Sequence, residues 1–351
     1  MLALGHVVIE RELARKGLIP VLLFACLLIW VAALSIGGVD ISWTEVIAIL
    51  SGTEKGSLQQ TILWEIRFPR VVLSLIAGAG LGVCGAAMQA IFRNPLADPG
   101  LIGVSSGAAL GAVTVIVLGN TLFTDFTSTF GLYAVPIGAF LGCLAVCSFI
   151  YRLSGFSGQF TVISLLLAGI AVNAIVGAFI GVLTLISNDQ ELRDLTFWSM
   201  GSLAGNHWAL VLPSLIAIVI AIIGLYRLSQ PLNLYLLGEA QAKHLGLNVN
   251  ALKKRVFILT ALCIGAAVAV TGMIGFVGFV VPHLIRLIVG TDHRYLMPGS
   301  MLLGALLLTA SDLLARTIIL PAEVPIGLIT SALGGPFFLI MLMKTYKNMA
   351  K

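Results

Sequence analysis

Residues 71–92 read VVLSLIAGAGLGVCGAAMQAIF, twenty-two positions without a formal charge between Arg70 and Arg93. The hydrocarbon core of a bilayer is crossed by about 20 predominantly apolar residues in helical form. The stretch therefore reads as a membrane span. Working outward between charges gives its companions. Residues 17–39 form the first span; a cleaved signal peptide would have a shorter apolar core ending at a small-residue site. Residues 99–124 contain the third span and 126–151 the fourth. Residues 153–188 hold the fifth plus a polar tail, and 195–226 the sixth, from about Ala209. After the polar stretch 228–255, thirty residues (256–285) run without formal charge but are interrupted by Gly272, Gly275, Gly278 and Pro282. They read as one full span, the seventh, and the start of a short eighth. Residues 295–316 give the ninth span and 324–343 the tenth.

Composition agrees. Of 351 residues, 59% are apolar and 10% charged, with 38 glycines. A globular domain carries about 25% charged residues, and at 10% a soluble fold of this length could not cover its surface. A cytosolic enzyme, a secreted domain and a disordered chain are excluded. Glycine is more frequent in membrane helices than in soluble ones. The expectation is an all-α polytopic membrane protein: one transmembrane domain over 1–351, about ten helices, a cytoplasmic N-terminal segment at 1–16, and little length left for a soluble domain. No internal repeat or low-complexity segment is visible by eye.

Ten spans put both termini on one side, and the basic residues say which. With the N-terminus inside, fifteen of the twenty Lys and Arg fall inside; Lys55, Arg67, Arg70, Arg193 and Arg316 fall outside. Cytoplasmic loops carry the excess of Lys and Arg, so both termini are expected in the cytoplasm. The net charge of +5 then reflects topology and not a nucleic-acid partner. The five cysteines (Cys26, Cys84, Cys143, Cys147 and Cys263) lie in apolar stretches and read as small buried residues. Cys143 and Cys147 are one helical turn apart, but no nearby His or carboxylate completes a metal site.

The chain has no G-x-x-x-x-G-K-[ST] and no H-E-x-x-H, paired CxxC or G-x-S-x-G motif, and its five histidines are scattered. A proton-driven pump carries acidic or histidine chains at the midplane. Here Asp312 and Arg316 come closest, four apart on one helix face near the outer end of span nine, where they read as a local pair. The chain is a pathway without its own energy source.

Four polar loops carry the remaining information. ILWEIRFPR (62–70) places Arg67 and Arg70 at the outer face, either as snorkelling arginines at a helix start with Glu65 as partner or as a docking site for acidic side chains. RNPLADPGLIG (93–103), inside, is a rigid Asn-Pro turn or part of an inner gate. GEAQAKHLGL (238–247), also inside, has helix formers and then a Gly stop. It suits a short helix in a partner's groove or a solvated amphipathic loop. NDQELRDLTFWSMGSLAGNHW (188–208) places Phe197, Trp198 and Trp208 in the aromatic belt of the outer face, or in a lid there.

Together these stretches resemble a known family. RFPR (67–70), MQAIFRNPLADPGLIGVSSGAALGA (88–112), GEAQAKHLG (238–246), GFVGFVVPHLIRLIVGTDHR (275–294) and SDLLAR…AEVPIGLITSALGGPFF (311–338) are similar, in order, to the permease subunits of the iron–siderophore, haem and cobalamin ABC importers, the type II importer fold. The resemblance runs from about residue 40 to 344. It implies ten spans with cytoplasmic termini in a bacterial inner membrane. It also implies a homodimer around a central pathway lined by span five, a dimer of separate ABC ATPase subunits that bind the ATP, and a periplasmic substrate-binding protein. Neither an enzymatic centre nor a permanently bound cofactor is implied.

By position, the resemblance implies that Arg67, Arg70 and Arg316 dock the binding protein. It implies ATPase coupling through Gly238, Glu239, Ala240, Ala242, Leu245 and Gly246, within the region 228–255, and a cytoplasmic gate at Asn94 and Leu96. At the second gate position, before span five, some relatives have hydroxyl residues; this chain has Val162 and Ile163, flanked by Thr161 and Ser164. An apolar constriction suits an apolar cargo. RNPLADPGLIGVSSGAALG and ELRDLTFWSMGSLAG are most similar to the haem-permease branch, so haem is the expected cargo, with ferric siderophore second and cobalamin third. His207 at the outer mouth is either a haem contact or a surface histidine of the belt. A secondary transporter and a passive channel are the rival classes. A reporter fused to the C-terminus is expected to read the cytoplasm; a signal from the outer side would reject the topology.

Overall fold

The computed structural model describes residues 2–53, 56–155 and 161–349, all helices and connections with no strand among them. Ten helices carry the membrane domain: α1 (Leu2–Ser35), α2 (Phe68–Phe92), α3 (Val104–Leu118), α4 (Ala134–Ser154), α5 (Val162–Ile186), α6 (Trp208–Arg227), α7 (Val249–Thr271), α8 (Val277–Val289), α9 (His293–Ala315) and α10 (Ile326–Met349). Among the described residues, eight helical segments are long and apolar enough to cross a membrane. α3 and α8 are shorter apolar helices of 15 and 13 residues, about 20 Å each at 1.5 Å per residue.

The sequence reading placed each of the ten, but two limits move. Span one is continued toward the N-terminus: α1 is one helix over Leu2–Ser35, with its apolar part at Arg15–Ser35. Span two starts before Val71, because Leu58–Phe92 is a single helical rod. Residues Ile62–Arg67 of that rod form a wide i→i+5 turn, a local form common at functional positions. RFPR is therefore part of a helix and not a loop.

α2 is the centre of the molecule. Its most apolar window is 83% buried, against 17% for α1 and 22% for α10. It packs along α9 and also touches α6, α7 and α8. Gly78, Gly82 and Gly85 recur at spacings of four and three, so they share one face. A Cβ at Gly78 would strike the carbonyl of Gly304, at Gly82 that of Ser300, and at Gly85 that of Gly278. Lipid tails are as apolar as leucine, so membrane helices associate through close van der Waals packing at small residues. The α3–α4 pair uses the same device: a Cβ on Gly107 would lie 2.7 Å from the Gly142 carbonyl.

Between α7 and α8 the chain unwinds over Gly272–Phe276, within an apolar surrounding. Irregular backbone is tolerated at membrane depth only where protein satisfies it. Here Ser202 N–H donates to Thr271 O at 2.8 Å and Ile326 N–H to Gly201 O at 3.1 Å. Gly201 and Gly272 both have φ near +70°, and each lies where a side chain would strike neighbouring backbone.

The Gly82→Ala variant should lower stability by about 1–3 kcal/mol, the cost of overpacking a filled contact. Gly177→Ala on the outside of α5, where nothing lies within 4 Å, should leave the thermal midpoint in detergent unchanged or slightly raised.

Candidate functional site

The end of α1, the start of α2 and the end of α9 meet in a network of charge. α1 ends at Ser35, leaving the carbonyls of its last turn without helical partners. Arginine has five N–H donors and no acceptor. Arg67 donates through Nη1 to Leu34 O and Ser35 O, both at 2.6 Å, and through Nη2 to Val39 O. Arg316 donates to Ala33 O at 2.6 Å. Arg70 lies against Asp312, with Nε 3.0 Å from Oδ1 and Nη2 2.9 Å from the same oxygen, while Nη1 meets Glu323 Oε1 at 2.8 Å. The Asp312–Arg316 pair expected within α9 is present as a long contact of 3.9 Å; Arg70 holds the carboxylate more closely.

All three expected docking arginines are therefore buried, at 4–7% exposure. Neither an open cationic patch nor a pair of snorkelling side chains describes them. The orphan carbonyls of α1 and the Asp312 carboxylate draw the guanidiniums inward. Glu323 is the open member, its side chain 39% exposed. Beside the network Phe68 stacks on Trp64 at 4.8 Å, and the Trp208 indole donates to Trp64 O at 2.8 Å. Trp208 lies 6.1 Å from Phe68, ring to ring, in this aromatic cluster. His207, just before α6, is exposed and does not cap that helix.

The inner pole is built around Tyr235. Arg93 ends α2 in a left-handed conformation (φ 49°). It donates to Tyr235 O at 2.9 Å and stacks over the Tyr235 ring at 4.4 Å. The expected short helix is present as Glu239–His244, between Gly238 (φ 128°) and Gly246 (φ 82°). Within the set expected to touch the ATPase, Ala240, Leu245 and Gly246 are exposed, but Ala242 is fully buried. Glu239 turns inward to Lys253 at 3.0 Å and Lys243 at 3.4 Å. Burial pushes the Glu239 carboxyl up, but the two ammonium groups outweigh it and hold it below the usual carboxylate range. The exposed surface of this segment mixes Leu237, Ala240 and Leu245 with Gln241, Lys243 and His244.

The 93–103 turn is held tightly. Asn94 Oδ1 accepts from Leu96 N–H at 2.9 Å and Asp98 Oδ1 from Gly100 N–H at 2.6 Å. Burial raises the Asp98 pKa, against that donor. The two halves of the expected gate do not meet within one chain. Leu96 packs against the buried cluster of Phe279, Val280 and Met341, between α8 and α10. Val162 and Ile163, at the foot of α5, line a cavity of about 550 Å³ with Arg93, Tyr235, Glu239 and Lys253. Cys143 and Cys147 direct their thiols at Ala261 O and Ile102 O, and no metal-binding cluster occurs among the described residues. The sequence reading gave no role to Tyr235, Lys253 or Glu323. Lys253 lies fourteen residues from Glu239 across a turn, and no local periodicity reports such a pair.

A model of the FecCD transport family matches residues 24–344. The chain belongs to the FecCD transport family. Over 327 residues this FecCD member is 46% identical to the hemin transport system permease protein HmuU of Yersinia pestis, covering 93% of this chain and 96% of that protein. It is 39% identical over 293 residues to the vitamin B12 import system permease protein BtuC of Vibrio cholerae, covering 83% and 86%. A solved ABC transporter described as of metal-chelate type, in an inward-facing conformation, superposes with TM-score 0.82 at 31% identity, over 94% of this chain and 99% of that one. The chain is a multi-pass permease of an ABC importer.

Removing one partner of a buried ion pair leaves an uncompensated charge. Asp312→Asn should cost about 3–5 kcal/mol and lower the thermal midpoint accordingly. Glu323→Gln, a partly exposed partner, should cost under about 1 kcal/mol. Equal effects would show that Asp312 is not the anchor of the network.

Proposed function

We propose that this FecCD permease imports haem across a bacterial cytoplasmic membrane. It works as a homodimer with two cytoplasmic ATPase subunits and a periplasmic binding protein, both termini facing the cytoplasm. The observation that carries the cargo is the 46% identity to a hemin permease across nearly both chains. The apolar foot of α5, Val162 and Ile163, suits a flat apolar cargo. Cobalamin is the second reading, supported by the 39% identity to BtuC, and ferric siderophore the third.

The reading is alternating access. ATP binding and hydrolysis in the partner subunits move the segment 238–246, which offers Ala240 and Leu245 to them. That segment touches Lys253 at the start of α7 and lies across the 550 Å³ cavity from the foot of α5, so its motion reaches the gate. An apolar face of α5 that includes Leu167, Ile170 and Leu185 is exposed in the single chain and would be covered by a second copy around the pathway. On the outer face, Arg67, Arg70 and Arg316 underlie the docking surface. A partner carboxylate reaches Arg70 by taking the place of Glu323, its exposed acceptor. His207 stands free at the outer face and would be a transient contact for the cargo. A proton-coupled mechanism lacks support: Asp312 is pinned at the outer end of α9 by Arg70.

The complete complex in liposomes should take up haem only when ATP is supplied to the ATPase side, faster than ferric siderophore or cobalamin. Uptake that persists without the ATPase subunits and collapses with an uncoupler would reject the reading.

A further inference from the structure

The inner cavity lies between the end of α2, the foot of α5 and the Glu239–His244 helix, with a volume of about 550 Å³. Three cations face it, Arg93, Lys243 and Lys253, and one carboxylate, Glu239. The excess is two positive charges beside walls that include Phe92, Val162 and Ile163. A concave site with cations of one sign and apolar walls concentrates anions.

The four charges differ in how firmly they are held. Lys253 is 2% exposed, with Nζ fixed on Glu239. Arg93 is fixed by the Tyr235 carbonyl and ring. Lys243 is 58% exposed and contacts Glu239 at 3.4 Å. Glu239 shares its six-residue helix with Lys243, between Gly238 and Gly246, and Ala242 seats that helix in the core. Both glycines have positive φ, which a side chain would oppose.

The geometry points to an exit subsite for the carboxylates of the cargo, with Glu239 as a built-in competitor for the same cations. The inference rests on the haem reading, because haem carries two propionates on an apolar macrocycle. When the coupling helix moves, it carries Lys243 with it and draws Glu239 away from Lys253, and the propionates take its place there. When the helix returns, Glu239 reclaims the Lys253 ammonium and the cargo is released inward. A site on a conduction path must let go as readily as it binds. Exchanging one carboxylate for another achieves this, since each ammonium keeps a charge-assisted hydrogen bond throughout.

The test uses full-length permease in nanodiscs and mesoporphyrin IX, which has both propionates but no iron, alongside its dimethyl ester, with empty nanodiscs subtracted. Lys243→Gln should weaken diacid binding about tenfold and Glu239→Gln should tighten it severalfold, the scale of one charge-assisted hydrogen bond. Neither should move the ester more than about twofold. Opposite signs from two neighbouring substitutions cannot come from misfolding. Equal shifts for acid and ester, or a weakened diacid in both variants, overturn the subsite. Inorganic phosphate that displaces the diacid at micromolar concentration assigns the cavity to a free oxyanion and overturns it as well. Haem uptake by the unsubstituted complex is measured in parallel. Uptake without charge-dependent porphyrin binding overturns the subsite alone, and absence of uptake overturns the haem reading and the subsite with it.

Discussion

The close approach of α2 to its neighbours is the constraint on which the rest of the molecule depends. In lipid there is no hydrophobic drive to bring helices together, so contact must come from packing. Gly78, Gly82 and Gly85 allow α2 to touch the backbone of α9 and of the Gly278 turn of α8. That contact brings Arg70 at one end of α2 to Asp312 of α9, and Gln89 near the other end to Arg286 of α8 at 2.8 Å. Both polar junctions exist because the apolar middle is so close.

The outer junction then acts as a clamp. Three guanidiniums satisfy the last carbonyls of α1 and the Asp312 carboxylate at once. Such groups are costly to bury without acceptors; here the acceptors come from four separate parts of the chain, and Arg316 Nε has only the 3.9 Å contact to Asp312. On the proposed docking role, acidic side chains of a delivery protein would compete with Glu323 for Arg70 and would not fill vacant cationic sites.

The inner junction has the opposite character. Its charges are unequal in number, and its one carboxylate sits on the short Glu239–His244 helix. The rigid part, Arg93 with Tyr235, is anchored to the end of α2. Glu239 stands between two glycines on a short helix that Ala242 seats in the core, and its carboxylate is held by two ion pairs.

The sequence by itself determined the class of the protein, its ten helices, their order and the two-sided sorting of charge, because charge-free runs and basic flanks are local properties set by the bilayer. It also carried the family, through motifs such as RFPR and GFVGFVVPHLIR. It named Arg67, Arg70, Arg316 and Glu239 as residues of interest but misjudged their setting. Whether a charged side chain is open or buried depends on partners far away in the chain: Leu34 for Arg67, Asp312 for Arg70, Lys253 for Glu239. The glycine stripe of α2 was readable as composition, yet which backbone it met was not. Those facts belong to the tertiary structure, because buried charge and close backbone contact are decided by what lies opposite, and sequence spacing reports only what lies alongside.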